Sequence, residues 1–473
     1  MQTYKLFLNG DWAEPEQKSW IEDVNPATGE VFAHVCTAGE KEVELALEGA
    51  YQAKKTWGKS LAKEREKILL KAADYMEKNV DKWIDTMIDE SGSSYVKIAA
   101  EFGSCADILR TAAGECTRIQ GGVIQGEYTN HLSYYVRNPL GVVVGIAPFN
   151  YPLFLAVDKI SFALAMGNAF ILKPSSLTPI SGLVLAECFE HAGLPKGVLS
   201  VLPGSGKAVG NRLIEDKRVN MVALTGSCEV GSKIASQVAG SLKKYSLELG
   251  GKNPMLILKD YDVEKAAQLA SFGAYFHQGQ ICMATSRIIV EKPAYESFCN
   301  AFAKATKEVP VGDPHNHNTI VGPIIDEKHC AFLDELIEDA VEKGARVLAG
   351  GQHKGAFYEP TLVADVTPDM RIFHEECFGP VVCVVCAENE ENGIELCNNN
   401  LFGLSSSILT NDITKALNLA EEMEAGMVHI NESTIVGSTR APFGGVKMSG
   451  VGRENSCFSA EEFTEVKWIT VQH

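Results

Sequence analysis

Between residues 140 and 290, short apolar runs alternate with amphipathic stretches: VVVGIA at 142–147, a helical pattern near 156–166, FILKP, and then a helix with Thr178 as N-cap and Pro179 at its first position. VLSVL, a helix after Gly206, MVALTG, a helix after Glu229 and YSLELGG continue the series. Four or more such repeats in about 110 residues imply a parallel sheet with helices on both faces and right-handed crossovers, an α/β doubly wound fold.

A second alternating series follows: LILKD, a helix from about Val263, RIIVE, helical patterns near 295–307 and 326–343, and the late strands VVCVVCA, SSSILT and MVHIN. GGKNP at 250–254 breaks the periodicity and places a domain boundary there. Upstream, LFLNGDW and NPATGE form a turn-rich strand region, and charged amphipathic segments over about 40–118 read as surface-packed helices. The run at 120–137, with its glycine pairs and alternating aromatics, reads as an extended hairpin arm.

The chain has 473 residues, with 43 basic and 61 acidic side chains and a formal charge of −18, which argues against nucleic acid or an anionic membrane as partner. Its 13 cysteines are odd in number and form no framework. With no signal peptide or membrane-length apolar run, the expected compartment is a reducing cytoplasm. There a cysteine is a small hydrophobe, a metal ligand or a nucleophile.

Several features carry candidate chemistry. LPGSGKAVG (Gly204, Gly206, Gly210) and LTGSCEVG (Gly226, Gly231) lie at strand-to-helix turns, where glycine lets backbone approach a pyrophosphate; tight turns alone explain either stretch equally simply. Neither is GxGxxG, and no Walker loop is present. Cys383 and Cys386 sit in an apolar strand and read as packing. His315 and His317 read as a solvated loop, and no metal site is expected. Cys282, in FHQGQICMATSR, lies in a polar loop between a helix and a strand; His277, five residues upstream, reads as a core or surface histidine rather than its partner. Glu248, a carboxylate at an apolar strand end beside two glycines, has the setting of a general base or of a merely structural acid.

NPATGE, PFNYP (148–152), LKPS (172–175), LTGSCEVG, LELGGK, GQIC ending at Cys282, EECFGP (375–380) and PFGGVKMSGVGRE (442–454) together resemble the aldehyde dehydrogenase superfamily, in order and nearly end to end. The resemblance implies a Rossmann-like cofactor domain (1–118 and 138–251), a catalytic domain (252–455) and a small β oligomerisation arm (119–137 and 456–473). It makes Cys282 the nucleophile, Asn150 the side-chain donor to the oxyanion, Glu248 the base that activates water, and Glu454 a further acid proposed to relay protons. On the cofactor side it assigns Lys173 to the adenosine ribose or its phosphate, Glu376 to the nicotinamide ribose, Phe378 to packing beside it, and Thr225, Gly226, Ser227 and Gly231, with Gly206 nearby, to the pyrophosphate turns.

NAD-preferring members often carry Glu three residues after this lysine; here the position is Ser176. Losing that carboxylate removes repulsion against a 2′-phosphate, so NADP is expected to be accepted alongside NAD. Phe149, Tyr151 and Phe443 are expected to wall the substrate mouth, together with the segment ending at Arg440, and the stretch from HIN to PFGG is similar to members acting on aromatic aldehydes. Small aliphatic or semialdehyde substrates stay open. A coenzyme A-acylating relative would usually lack Glu248, and a silent descendant should have lost Cys282, Asn150 or Glu248. The resemblance also implies a homodimer or homotetramer, and a small aldehyde as the molecule acted on.

Overall fold

The computed structural model describes residues 2–472. Two large sheets organise it. In the first, parallel strands run Lys244–Glu248, Met221–Thr225, Val142–Ile146, Ala169–Lys173 and Leu199–Val201; Leu6–Leu8 and Asp11–Ala13 extend one edge antiparallel, and Gly450–Val451 closes the other. The pleat divides each strand between two cores: Val143 packs with helices Ala62–Lys78, Tyr95–Arg118 and Phe154–Ala165, while Val142 and Val144 pack with Glu40–Trp57 and Cys228–Ala239. Both faces are therefore dry, which is why these strands read as unbroken apolar runs. Gly145 interrupts the valines because a Cβ there would stand 2.3 Å from the Phe170 ring.

Strand order reverses between Val142–Ile146 and Met221–Thr225, which opens a crevice beyond the carboxyl ends of the strands. Lys173, Thr225 and Glu248 are the last residues of their strands, and Asn150 lies four residues past Ile146. One sheet edge thus delivers four candidate residues to one crevice.

The second sheet orders Arg346–Ala349, Thr361–Ala364, Val381–Ala387, Thr285–Glu291, Asn253–Ile257, Ser405–Leu409 and Met427–Ile430, all parallel except the first. Cys282 and Glu376 precede two of its strands, so this sheet contributes through amino ends what the first contributes through carboxyl ends. A third sheet pairs Thr464–Gln472 along its whole length with His131–Pro139, which also holds Gly122–Ile124.

Several expectations shift. GGKNP does not interrupt structure as a unit, since Asn253 and Pro254 already belong to a strand and Pro254 is accommodated at a register shift. Gly450–Val451, expected with the catalytic part, pairs with Leu247 and Glu248 in the cofactor sheet. Past residue 455 the chain first forms a helix, Ser456–Glu462, packed on Tyr95–Arg118, and enters the arm only at Thr464. Thr178 is the N-cap residue of Pro179–Ala192, yet its hydroxyl makes no bond; the distant Glu90 instead accepts from the Ile180 and Ser181 amides. A carboxylate at a helix N-terminus does the capping better than a hydroxyl because the amides there are partly positive.

Candidate active site

The helix Val263–Tyr275 ends in a turn where His277 and Gln278 both adopt left-handed backbone, φ 52° and 56°, followed by Gly279 at φ 68°. Each non-glycine residue there costs roughly 1–2 kcal/mol, and side chains hold the conformation. His277 Nε2 donates to the Asn150 carbonyl (2.8 Å), Gln278 Nε2 donates to the carbonyls of Gly92 (3.0 Å) and Pro323 (2.8 Å), and Gln280 Oε1 accepts from the Ile325 amide (3.0 Å). The result is a half-buried Cys282 presented to a cavity, its own carbonyl held by Asn253 Nδ2 at 2.8 Å. Only glycine fits at Gly251, where a Cβ would stand 2.8 Å from that carbonyl.

Asn150 is buried and donates from Nδ2 to the Gln280 carbonyl (3.0 Å), which leaves its second N–H available. Its backbone carbonyl accepts from Lys97 Nζ (2.8 Å) as well as from His277. Lys97 is buried and paired with Glu101 (2.5 Å), and Glu101 in turn caps the helix Phe154–Ala165 through the Leu153 and Phe154 amides. Burial, then the Lys97 charge, holds the His277 ring well below the usual histidine range, so it is neutral and spent on the Asn150 carbonyl, in keeping with a core histidine. Burial pushes the Cys282 thiol up, as do the Glu248 and Glu376 carboxylates, while the amides of Met283 and Cys282 pull the other way. The resting sulfur is a thiol and requires a base.

Glu248 is buried, and neither of its oxygens has a partner among the described residues. Burial foremost, and then the like charge of Glu454, raise it well above the usual carboxylate range, so the acid is ready to hold and release a proton. Gly444, at φ +151°, lies against it: a Cβ there would stand 2.8 Å from Glu248 Oε1. Glu454 accepts from Lys159 Nζ at 2.7 Å, and that ammonium also donates to Thr225 Oγ1 at 2.6 Å. Thr225 therefore serves the acid cluster with its side chain, whereas Gly226 continues the turn by donating to the Glu248 carbonyl (3.0 Å).

The cavity at Cys282 holds about 250 Å³. Tyr151 and Phe443 line it as expected, and Phe154, Phe272, Phe276 and Ile435 complete a largely apolar wall. Phe149 does not line it; its ring meets Phe378 edge-on with centroids 5.7 Å apart, which places it on the cofactor side. Arg440 is exposed on its loop and is not a lining residue. Helix 95–118 contributes Ala100 and Ser104 to the wall, residues carrying no chemical signal in the sequence. Phe272, half exposed on its helix, carries no such signal either.

On the cofactor side, Lys173 is buried and makes no ion pair among the described residues; its ammonium donates to the Pro174 carbonyl (3.0 Å), and burial pulls it down to about 8. Ser176 donates to the Gly204 carbonyl (3.0 Å). Gly206 opens a π turn with nothing near its missing side chain, and Ser227 caps the helix Cys228–Ala239. Gly231 serves packing, since a Cβ there would meet Leu249 at 2.5 Å. Glu376 accepts from the Gly251 amide (2.9 Å) with one oxygen, and burial raises it to about 7. Phe378 holds left-handed backbone, φ 46°. A buried lysine lacking an anion, an open capped helix end at the switch crevice and a carboxylate with a spare oxygen fit a dinucleotide.

Fold and site together define an oxidoreductase that pairs a doubly wound dinucleotide-binding sheet with a cysteine-containing catalytic sheet. The chain belongs to the aldehyde dehydrogenase family, which matches residues 12–469. A vanillin dehydrogenase of Pseudomonas fluorescens is 38% identical over 471 residues, 99% of this chain and 98% of that protein. The crystal structure of a salicylaldehyde dehydrogenase from Pseudomonas putida complexed with salicylaldehyde superposes with a TM-score of 0.98 at 36% identity, covering 100% of this chain and 98% of that one. An NADP-dependent glyceraldehyde-3-phosphate dehydrogenase from Bacillus halodurans complexed with NADP gives 0.96 at 33% identity, covering 99% of both chains. The protein is an NAD(P)-dependent enzyme that oxidises an aldehyde.

Proposed function

We propose that the enzyme converts an aromatic aldehyde to its carboxylic acid through a thioester on Cys282. The observation that carries this reading is that Cys282 and Asn150, far apart in sequence, line one aromatic-walled cavity, while the Glu248 carboxylate, at a strand end in the dinucleotide sheet, lies near enough to raise the Cys282 thiol. Glu248 takes the thiol proton, and the sulfur adds to the aldehyde carbon. The developing oxyanion is held by the free Asn150 Nδ2–H and the Cys282 backbone N–H, each worth a few kcal/mol when water is excluded. The nicotinamide, when bound, supplies the acceptor for the hydride lost as the tetrahedral adduct collapses to the thioester. Glu248, having released the thiol proton to solvent, then takes a proton from water, whose oxygen displaces the Cys282 sulfur, and that proton returns to the sulfur to regenerate the thiol.

A flat ring suits a 250 Å³ slot walled by Tyr151, Phe154, Phe272, Phe276 and Phe443. The vanillin and salicylaldehyde enzymes among its relatives point the same way. NADP is taken at least as well as NAD, because Lys173 lacks an anionic partner and Ser176 offers no carboxylate to repel the phosphate. An intact Glu248 favours hydrolysis over transfer to coenzyme A. The proposed assembly is a dimer or tetramer built through the third sheet. No helix among the described residues is long and apolar enough to cross a membrane, and thirteen free cysteines suit a reducing cytoplasm.

Absorbance of reduced cofactor over benzaldehyde, salicylaldehyde, vanillin and an aliphatic panel tests this reading. Benzaldehyde-like substrates should give the highest kcat/KM, and Cys282→Ala should abolish turnover; a preference for aliphatic aldehydes or an active C282A would overturn the respective assignment.

A further inference from the structure

Asn150 lies outside any helix or strand, and among the described residues its carbonyl takes no backbone donor. Side chains alone hold that carbonyl. Lys97 Nζ donates to it at 2.8 Å, pairs with Glu101 Oε2 at 2.5 Å and stands 4.3 Å from the centroid of the Tyr151 ring. The other Glu101 oxygen accepts from the Leu153 and Phe154 amides, each at 3.0 Å. Lys97 and Glu101 are one turn apart on the helix Tyr95–Arg118, and both side chains are fully buried. The pair therefore grips one short segment at both ends, the cation on the carbonyl of residue 150 and the carboxylate on the amides of 153 and 154.

Burying an ion pair is costly, and apolar side chains of similar size would pack there at least as favourably. What the pair adds is direction. A charge-assisted bond is roughly twice as strong as a neutral one, and here it falls on the peptide of the residue whose side chain faces Cys282. With Nδ2 also bound to the Gln280 carbonyl at 3.0 Å, Asn150 is fixed through backbone and side chain, and one N–H is left to meet an oxyanion. A donor held in place beforehand needs no reorganisation as the charge develops. Lys97 itself does not line the cavity.

We propose that Lys97 is a positioning residue of the oxyanion site: anchored by Glu101, its ammonium fixes the Asn150 peptide and so aims the free Nδ2–H without touching substrate. This rests on the reading of Asn150 as the oxyanion donor. His277 shares the carbonyl at 2.8 Å but brings a neutral ring, so it supports the same peptide more weakly.

Lys97→Met made together with Glu101→Gln removes both charges, leaves no buried carboxylate alone and keeps an oxygen for the two amides. A double-mutant cycle of this pair against Asn150→Ala tests the assignment, read as the rate constant for reduced-cofactor formation in a single turnover of benzaldehyde. In the wild-type background the paired substitution should slow that step about 10- to 100-fold, the scale of a misplaced group. In the Asn150→Ala background it should slow it by no more than about twofold, because the donor it aims is already gone. Equal slowing in both backgrounds, which general loss of structure would give, overturns the proposal, as does no slowing in the wild-type background. An Asn150→Ala enzyme as fast as wild type would instead indict the reading of Asn150. Alkylation of Cys282 by iodoacetamide in the cofactor-free enzyme needs no oxyanion donor and should proceed at the wild-type rate in the paired variant; a large change there would assign the slowing to a disturbed sulfur and overturn the proposal. Should the paired variant fail to fold, Lys97→Gln, which still donates to Glu101 but is too short to reach the Asn150 carbonyl as well, is put through the same cycle.

Discussion

At the residue scale, Lys173 decides the cofactor question. Burial lowers its affinity for a proton to about 8, and a bound 2′-phosphate favours the charged form. Because the charge disappears as pH rises through about 8, KM for NADP should climb above that pH while KM for NAD stays flat. Parallel cofactor titrations across the neutral to alkaline range check this. Ser176→Glu places a carboxylate beside the same ammonium, and kcat/KM with NADP should fall by about 10- to 100-fold, roughly 1.4–2.7 kcal/mol, with NAD spared. Glu376 behaves with the opposite sign. Burial raises it to about 7, and only the ionised form accepts two hydroxyl protons, so cofactor affinity should weaken as pH falls through about 7. Fluorescence titration of cofactor binding should show that limb, and Glu376→Gln should flatten it while lowering affinity throughout.

At the element scale, what the sequence made legible follows from burial. Strands covered on both faces are unbroken apolar runs, so the alternation from Val142 to Glu248 exposes both the sheet and the strand ends that carry Lys173, Thr225 and Glu248. Groups that act through distant chain were not legible. Glu90 replaces Thr178 as the helix cap, and Phe149 turns to Phe378 instead of the cavity, because tertiary packing and not local pattern settles each. Glu90 also faces Asp23 of the strand Trp20–Val24; burial first, then the like charge of Glu90, raises Asp23 to about 10. Since the folded state keeps a proton that the unfolded chain gives up near pH 4, this site costs stability as pH rises from there towards 10. Asp23→Asn mimics the protonated form without needing the proton. Its melting temperature should match wild type near pH 4 and exceed it increasingly by pH 9, with roughly 1.4 kcal/mol per pH unit as the ceiling for one retained proton; equal melting curves throughout would refute the retained proton on Asp23.

At the scale of the whole molecule, the third sheet stands apart from both cores. Thr464–Gln472 spends one edge on His131–Pro139 and leaves the other without a partner among the described residues, with Val466, Trp468 and Val471 exposed along the strand. A long, flat, apolar edge of this kind is a template for another chain unless something blunts it. Here Glu465 and Lys467 alternate with the apolar residues, which fits an edge that selects its partner through charge as well as backbone bonds. Pairing through a second copy would extend the sheet and bury Trp468, and a two-fold axis satisfies both copies with one patch. The same strand follows closely on Glu454 and the helix Ser456–Glu462, so the proposed interface and Glu454 share one short stretch of chain. Replacing Val466 and Trp468 by Lys should therefore yield a monomer by sedimentation in place of a species of two or four chains. Its melting temperature should fall, and kcat should fall with it, because the helix that supports Glu454 loses its anchored neighbour. A double variant that sediments as wild type would show that the oligomer forms through another face.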